Sequence, residues 1–159
     1  MTKKVSVGAV KALREKTSAS INDCRAALES SGGDERKAME LLRQRGEAIA
    51  EKRQGRTAAQ GRVESYVHHD GRLAALVEVN CETDFVARTP EFLQFCKDVA
   101  MQVAAMSPEA ATLLEQPFVK DQSLSVGDLL KALIAKTGEN VVIRRIARFA
   151  VGETVGTST

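Results

Sequence analysis

The chain has no tryptophan, and aromatic residues fill only 4% of its 159 positions, so its interior must be built from Leu, Val, Ile and Ala. Its three cysteines, Cys24, Cys81 and Cys96, are an odd number without C-x-x-C spacing. That argues against both a disulfide framework and a zinc site. Free thiols of this kind fit a reducing compartment, and a cytoplasmic location is the expectation. Long apolar runs are missing too: none approaches the ~18 residues a membrane span needs. The opening "MTKKVSVGAV" lacks the apolar stretch and small-residue cleavage site of a secretory signal. A glycine-rich phosphate loop is absent, since "SSGGDE" has neither the lysine nor the spacing of a P-loop.

Net charge is small as well, at +2, but it is unevenly spread. Residues 1–62 carry 14 Lys/Arg against 8 Asp/Glu, and residues 63–159 carry 9 against 13. A basic front half suits an acidic partner, either nucleic acid or an acidic protein, and equally suits solvated helix faces. What is present is ordinary for a globular chain: 43% apolar and 28% charged residues, enough for one core or for a small module joined to a medium one.

The front part reads as three short helices. Val7, Val10 and Leu13 repeat with helical spacing; Ser20 with Asp23 forms a capping-box variant ahead of Ile21, Cys24, Ala27 and Leu28. "SSGG" ends that helix, and Asp34 caps a third with Ala38, Leu41 and Leu42 inward, closing near Gly46. Three helices in residues 1–46 make a minimal bundle of the ubiquitin-associated kind. Residues 47–61 read as a helical connector. Alternation at Val63, Ser65, Val67 and from Leu73 to Val79 about the Asp70-Gly71 turn predicts a hairpin. Thr89 and Pro90 start a helix with Phe92, Phe95, Cys96, Val99 and Val103 inward. Residues 107–122 read as loop, Ser125 caps a helix through Leu133 and Ile134, and "NVVIRRIARFAV" reads as a third strand. The fold class is α+β: the bundle, the connector, then a core domain over 62–152 with a three-stranded antiparallel sheet and helices on one face, and a frayed tail at 153–159.

Reactive chemistry finds few candidates: His68, His69, Asp70, Cys81 and Asp84. The histidines sit at the hairpin turn and Cys81 at the far end of its partner strand, about 25 Å away at ~3.3 Å per residue. Adjacent histidines on a strand would point to opposite faces, which does not favour a metal. An enzyme is not the expected reading, and no metal or cofactor is implied. "VNCETDFVAR" is different, because Phe85 beside Asp84 falls where a strand ends and a helix begins. Such an aromatic is either core or an anchor aimed into a partner's pocket, and the pattern alone leaves both open.

Two long stretches carry a resemblance. "LREKTSASINDCRAALESSGGDERKAMELLRQRG", Leu13 to Gly46, and "VEVNCETDFVAR", Val77 to Arg88, are similar to signatures of bacterial elongation factor Ts, the guanine-nucleotide exchange factor of elongation factor Tu. With "GENVVIRRIARFAVGE" the resemblance spans nearly the whole chain. It implies that Thr83, Asp84, Phe85 and Val86 form a corner that wedges Phe85 into the partner's G domain. There the wedge disturbs the magnesium and phosphate site, so that GDP leaves. It implies also that Leu13, Arg14, Ile21 and Asn22 of the bundle grip another helix of that domain. Two departures stand out: Ile21-Asn22 replaces a usual Met pair, and "TSAS" replaces the usual "TGAG", which should stiffen that loop. The length matches the short members, in which two chains complete the core, implying a homodimer and a 2:2 complex. Nucleic acid is not required and no membrane is involved. The rival readings are an RNA- or ribosome-binding protein using "RRIAR", and a ubiquitin-type adaptor.

Overall fold

The computed structural model describes residues 5–106 and 112–153. They divide into two compact units. One holds the chain up to Arg56 together with Leu130–Asn140; the other holds Thr57–Leu129 and the chain from Val141 onward. Most of the loop expected at 107–122 falls among the described residues, but 107–111 and all of the expected tail except Glu153 lie outside them.

The first three helices of the first unit each start on a side-chain cap. Ser6 Oγ accepts from the Ala9 N–H at 3.1 Å to open α1 (Val7–Thr17). Ser20 Oγ accepts from the Asp23 N–H at 3.1 Å and donates to Asp23 Oδ2 at 2.6 Å at the start of α2 (Ile21–Ser30). Asp34 accepts from the Lys37 N–H at 3.1 Å ahead of α3 (Glu35–Arg53). Val10, Leu13, Cys24, Ala27, Leu28 and Ala38 form the core, with Leu42 packed against it. Val7 (86% exposed), Ile21 (50%) and Leu41 (39%) do not join it, so the apolar stripes read from the sequence run one position too far on all three helices. Ser18 closes α1 in the left-handed region (φ 56°), its N–H donating to the Arg14 carbonyl at 2.8 Å. A side chain is disfavoured in that conformation, so serine restricts the loop where glycine would not.

The third helix does not close at Gly46. It runs on to Arg53, and Gly55 (φ 90°) follows it. Gly46 is buried where the later part of α6 (Val126–Thr137) passes: a Cβ there would lie 3.7 Å from Ala135 Cβ and 3.9 Å from the Lys131 carbonyl. The glycine marks a close helix approach rather than a stop. Glu47 accepts from Arg43 at 2.6 Å and from Lys131 at 3.1 Å, and buried Asn140 donates to the Arg56 carbonyl at 2.8 Å. Glu40, bonded to Arg43 and Gln44, has its carboxyl held down at about 2. Because the two contacts at Gly46 are ordinary van der Waals distances, Gly46→Ala is expected to stabilise the protein by about 0.5–1 kcal/mol through helix propensity. Gly46→Leu should destabilise it, and urea unfolding of both variants checks the opposite signs.

The second unit is built on a sheet of order β1-β2-β5, antiparallel throughout: β1 (Gln60–Val67), β2 (Leu73–Cys81) and β5 (Val141–Ala150). The β1–β2 turn is the expected one. Gly71 takes φ 68° and donates to the His68 carbonyl at 2.8 Å, and Asp70 Oδ1 accepts from the Arg72 N–H at 3.0 Å. Helix α5 (Pro90–Met106) packs on one face, burying Phe92, Phe95, Cys96, Val99, Ala100 and Val103 beside Ala75, Val77, Val79 and Cys81 of the central strand. A bulge between Glu78 and Val79 slips the β2–β5 register past Arg144.

The stretch read as loop contains a second, two-stranded sheet of β3 (Pro117–Phe118) and β4 (Asp121–Ser125). Fully buried Gln102 organises it. Its Nε2 donates to the Pro117 carbonyl at 3.0 Å and to Gln116 Oε1 at 3.1 Å, while its Oε1 accepts from the Val119 N–H at 2.9 Å. A buried amide with all these partners stabilises, whereas one without them would cost about 1–3 kcal/mol.

Candidate functional site

The last paired residue of β2 is Cys81, flanked by Gln60 of β1 and Val141 of β5. The chain then leaves the sheet and makes a single helical turn, α4 (Asp84–Ala87), before α5 begins. Thr83 is the cap: its backbone is extended (φ −122°, ψ 154°) and its Oγ1 accepts from the Val86 N–H at 3.4 Å. The Ala87 N–H reaches the Thr83 carbonyl at 3.3 Å, and the Arg88 N–H reaches the Phe85 carbonyl at 3.2 Å. One turn with bonds this long has little stability of its own. It is held from outside. Cys81 Sγ donates to the Thr83 carbonyl at 3.1 Å, and Thr89 Oγ1 donates to the Val86 carbonyl at 2.8 Å while accepting from the Phe92 N–H at 3.3 Å.

Phe85 stands on this turn with 78% of its surface exposed. That excludes the core reading left open by the sequence, since a core aromatic has almost no accessible surface. Val86 is half-buried, Thr83 is exposed, and Asp84 pairs with Arg88 at 3.1 Å across one helical turn, both side chains largely in solvent. An exposed pair of this kind contributes roughly 0–1 kcal/mol. The corner therefore presents an apolar ring with a carboxylate beside it.

In the bundle, Arg14 and Asn22 are exposed and Ile21 is 50% exposed at the start of α2. Leu13, expected with them as a contact residue, has no accessible surface: it faces the core three residues after Val10, one helical turn along α1. Leu13 can set the position of Arg14 but cannot itself touch a partner.

A patch that the sequence pattern did not single out residue by residue lies on the sheet face opposite α5. Register places Val63, Val67, Leu76, Val142 and Phe149 on that face, and all five are exposed. Among them Arg145 Nε donates to Glu78 Oε2 at 2.6 Å. Strand alternation alone could have found this patch, had its two faces been assigned.

The remaining reactive candidates do not assemble. His68 and His69 lie beyond the end of β1, so they do not point to opposite faces: their rings are 4.3 Å apart, and His68 Nδ1 is 3.0 Å from the Tyr66 hydroxyl. Cys81 lies at the other end of the hairpin. Burial pushes the Cys96 thiol up to about 12, and all three cysteines are buried. Among the described residues no three His, Cys, Asp or Glu groups could hold a metal, and no helix is long and apolar enough to cross a membrane.

The family profile described as elongation factor TS matches residues 3–112 and 82–158. The chain belongs to the elongation factor Ts family. Elongation factor Ts of Carboxydothermus hydrogenoformans is 43% identical over 190 aligned positions, covering 91% of this chain and 88% of that protein. Elongation factor Ts of Rubrobacter xylanophilus is 42% identical, covering 88% of this chain and 95% of that protein. The chloroplastic elongation factor Ts of Porphyra purpurea is 41% identical, with 96% and 90% covered. Alignments of this length exceed the 159 residues here, so these relatives carry extra residues inside the aligned span. Membership places the chain among translation elongation factors.

Proposed function

We propose that the protein is a guanine-nucleotide exchange factor that drives GDP out of elongation factor Tu by pressing Phe85 into its G domain. The exposure of Phe85 on a corner held by the sheet and by α5 carries this reading. An apolar side chain kept in water at such a corner is stabilised only when a partner covers it, and a centrally placed aromatic anchor is worth about 2–4 kcal/mol on binding. Asp84 and Val86 flank the ring at the contact and Thr83 shapes the turn. The wedge disturbs the magnesium and phosphate site of the partner, so nucleotide and factor exclude each other, and no covalent chemistry is asked of any residue here. Arg14, Ile21 and Asn22 supply a second grip on the G domain, with Leu13 as the support beneath Arg14. The reading includes a cytoplasmic site of action and needs neither nucleic acid nor membrane.

The bare sheet face supports a homodimer, and with it a 2:2 complex. Five exposed apolar residues on one face of a three-stranded sheet are more than a lone monomer usually leaves in water. Leu76→Glu, on the central strand, is expected to turn a dimer into a folded monomer with half the mass by light scattering. A wild-type protein that is already monomeric at micromolar concentration would sink the dimer. The exchange reading is tested by release of fluorescent GDP from elongation factor Tu with and without the protein: acceleration supports it, and its absence from folded protein removes it.

A further inference from the structure

We propose that Cys81 and Thr89 are positioning residues for exchange, forming a two-point clamp that keeps Phe85 aimed. The proposal rests on the wedge reading above and names what makes the wedge stiff.

The geometry points to it from both ends of the turn. Cys81 is fully buried at the end of the central strand, with neighbours paired on either side, so its thiol is carried by backbone flanked on both sides by paired strands. That thiol donates to the carbonyl of Thr83, the residue that caps the turn. Thr89 works from the other side. Its hydroxyl accepts from the Phe92 N–H at the head of α5 and donates to the Val86 carbonyl, so one oxygen ties the turn to a 17-residue helix. Between the two anchored carbonyls stands Phe85. The turn's own backbone bonds at 3.2 and 3.3 Å and its capping contact at 3.4 Å are long, and the 3.0 Å bond from the Thr89 N–H to the Val86 carbonyl ties the turn to the same residue whose hydroxyl holds that carbonyl. A wedge displaces its target only if its mounting yields less than the target does. A thiol and a hydroxyl aimed at the two carbonyls flanking the ring are that mounting, and both are replaceable without touching the exposed surface.

The test is GDP release from elongation factor Tu by Cys81→Ala and Thr89→Val, each also built on Phe85→Ala, with Cys81→Ser and Thr89→Ser as conservative variants. The maximal release rate should fall about five- to tenfold for each clamp variant, while the half-saturating concentration changes less than about threefold, because the bundle still docks. In the Phe85→Ala background the same changes should alter the rate by less than about twofold. The serine variants, which keep a donor, should recover most of the rate. Amide exchange at Val86 and Ala87 should quicken while that of β2 holds. Equal losses with and without Phe85 would mean a general effect on folding and would overturn the clamp. So would full activity in Cys81→Ala and Thr89→Val. An inactive wild type, or a fully active Phe85→Ala, would remove the wedge reading, and the clamp with it, by a signature distinct from either.

Discussion

Phe85→Ala is expected to slow protein-stimulated GDP release from elongation factor Tu by roughly 30-fold to 10³-fold, with little change in the protein's own stability. The range follows from a hot-spot contribution of about 2–4 kcal/mol at about 1.4 kcal/mol per tenfold. Stability is spared because the ring is 78% exposed, so truncating it removes almost no buried contact. Linkage adds a second readout. If the factor weakens GDP binding by some ratio, GDP weakens factor binding by the same ratio. A ring that supplies coupling must, when removed, bring the affinities for nucleotide-free and GDP-bound partner closer together. A ring that supplies only adhesion would lower both affinities equally and leave their ratio alone. Finding the ratio unchanged would move the coupling to the bundle or the sheet.

Much of this architecture was legible because local rules agreed with the fold. Ser20 and Asp34 cap the helices that follow them, and Asp70-Gly71 turns the hairpin, since caps and turns are decided within a few residues. What escaped depended on partners far along the chain. Gly46 resembles a helix stop until the approach of Ala135 and Lys131 explains it. The β3–β4 hairpin has no alternation of its own, because its order comes from Gln102, more than ten residues upstream. The candidate site was legible as chemistry but not as exposure. "TDF" gives the residue types at the corner, while only the sheet and α5 decide that Phe85 points to water, and only the packing of α1 on α2 and α3 decides that Leu13 does not. Buried and exposed apolar residues obey the same periodicity, so periodicity could not separate them.

The largest stability loss is expected at Gly61. It sits on β1 opposite Asn80 with φ 152°, and a Cβ there would lie well inside contact distance of the Val79 carbonyl oxygen and 2.7 Å from Asn80 Cα. Both obstacles are backbone of the central strand, which is hydrogen-bonded on both sides and cannot retreat. Gly61→Ala must therefore push the start of β1 outward, breaking the Gln60–Cys81 pairing beside the root of the Phe85 corner. A cost of about 2–4 kcal/mol is expected, from forced conformation plus lost ladder bonds. That is a large share of the roughly 5–15 kcal/mol that holds a domain folded. Gly71→Ala makes the matched comparison. Gly71 has φ 68° but open space where its Cβ would go, so it isolates the conformational cost at about 1 kcal/mol. Denaturant unfolding should rank Gly61→Ala well below Gly71→Ala, and exchange activity should fall with Gly61→Ala alone. Equal stabilities would mean that collision with β2 contributes nothing, and that the β1 edge is free to move where the corner is rooted.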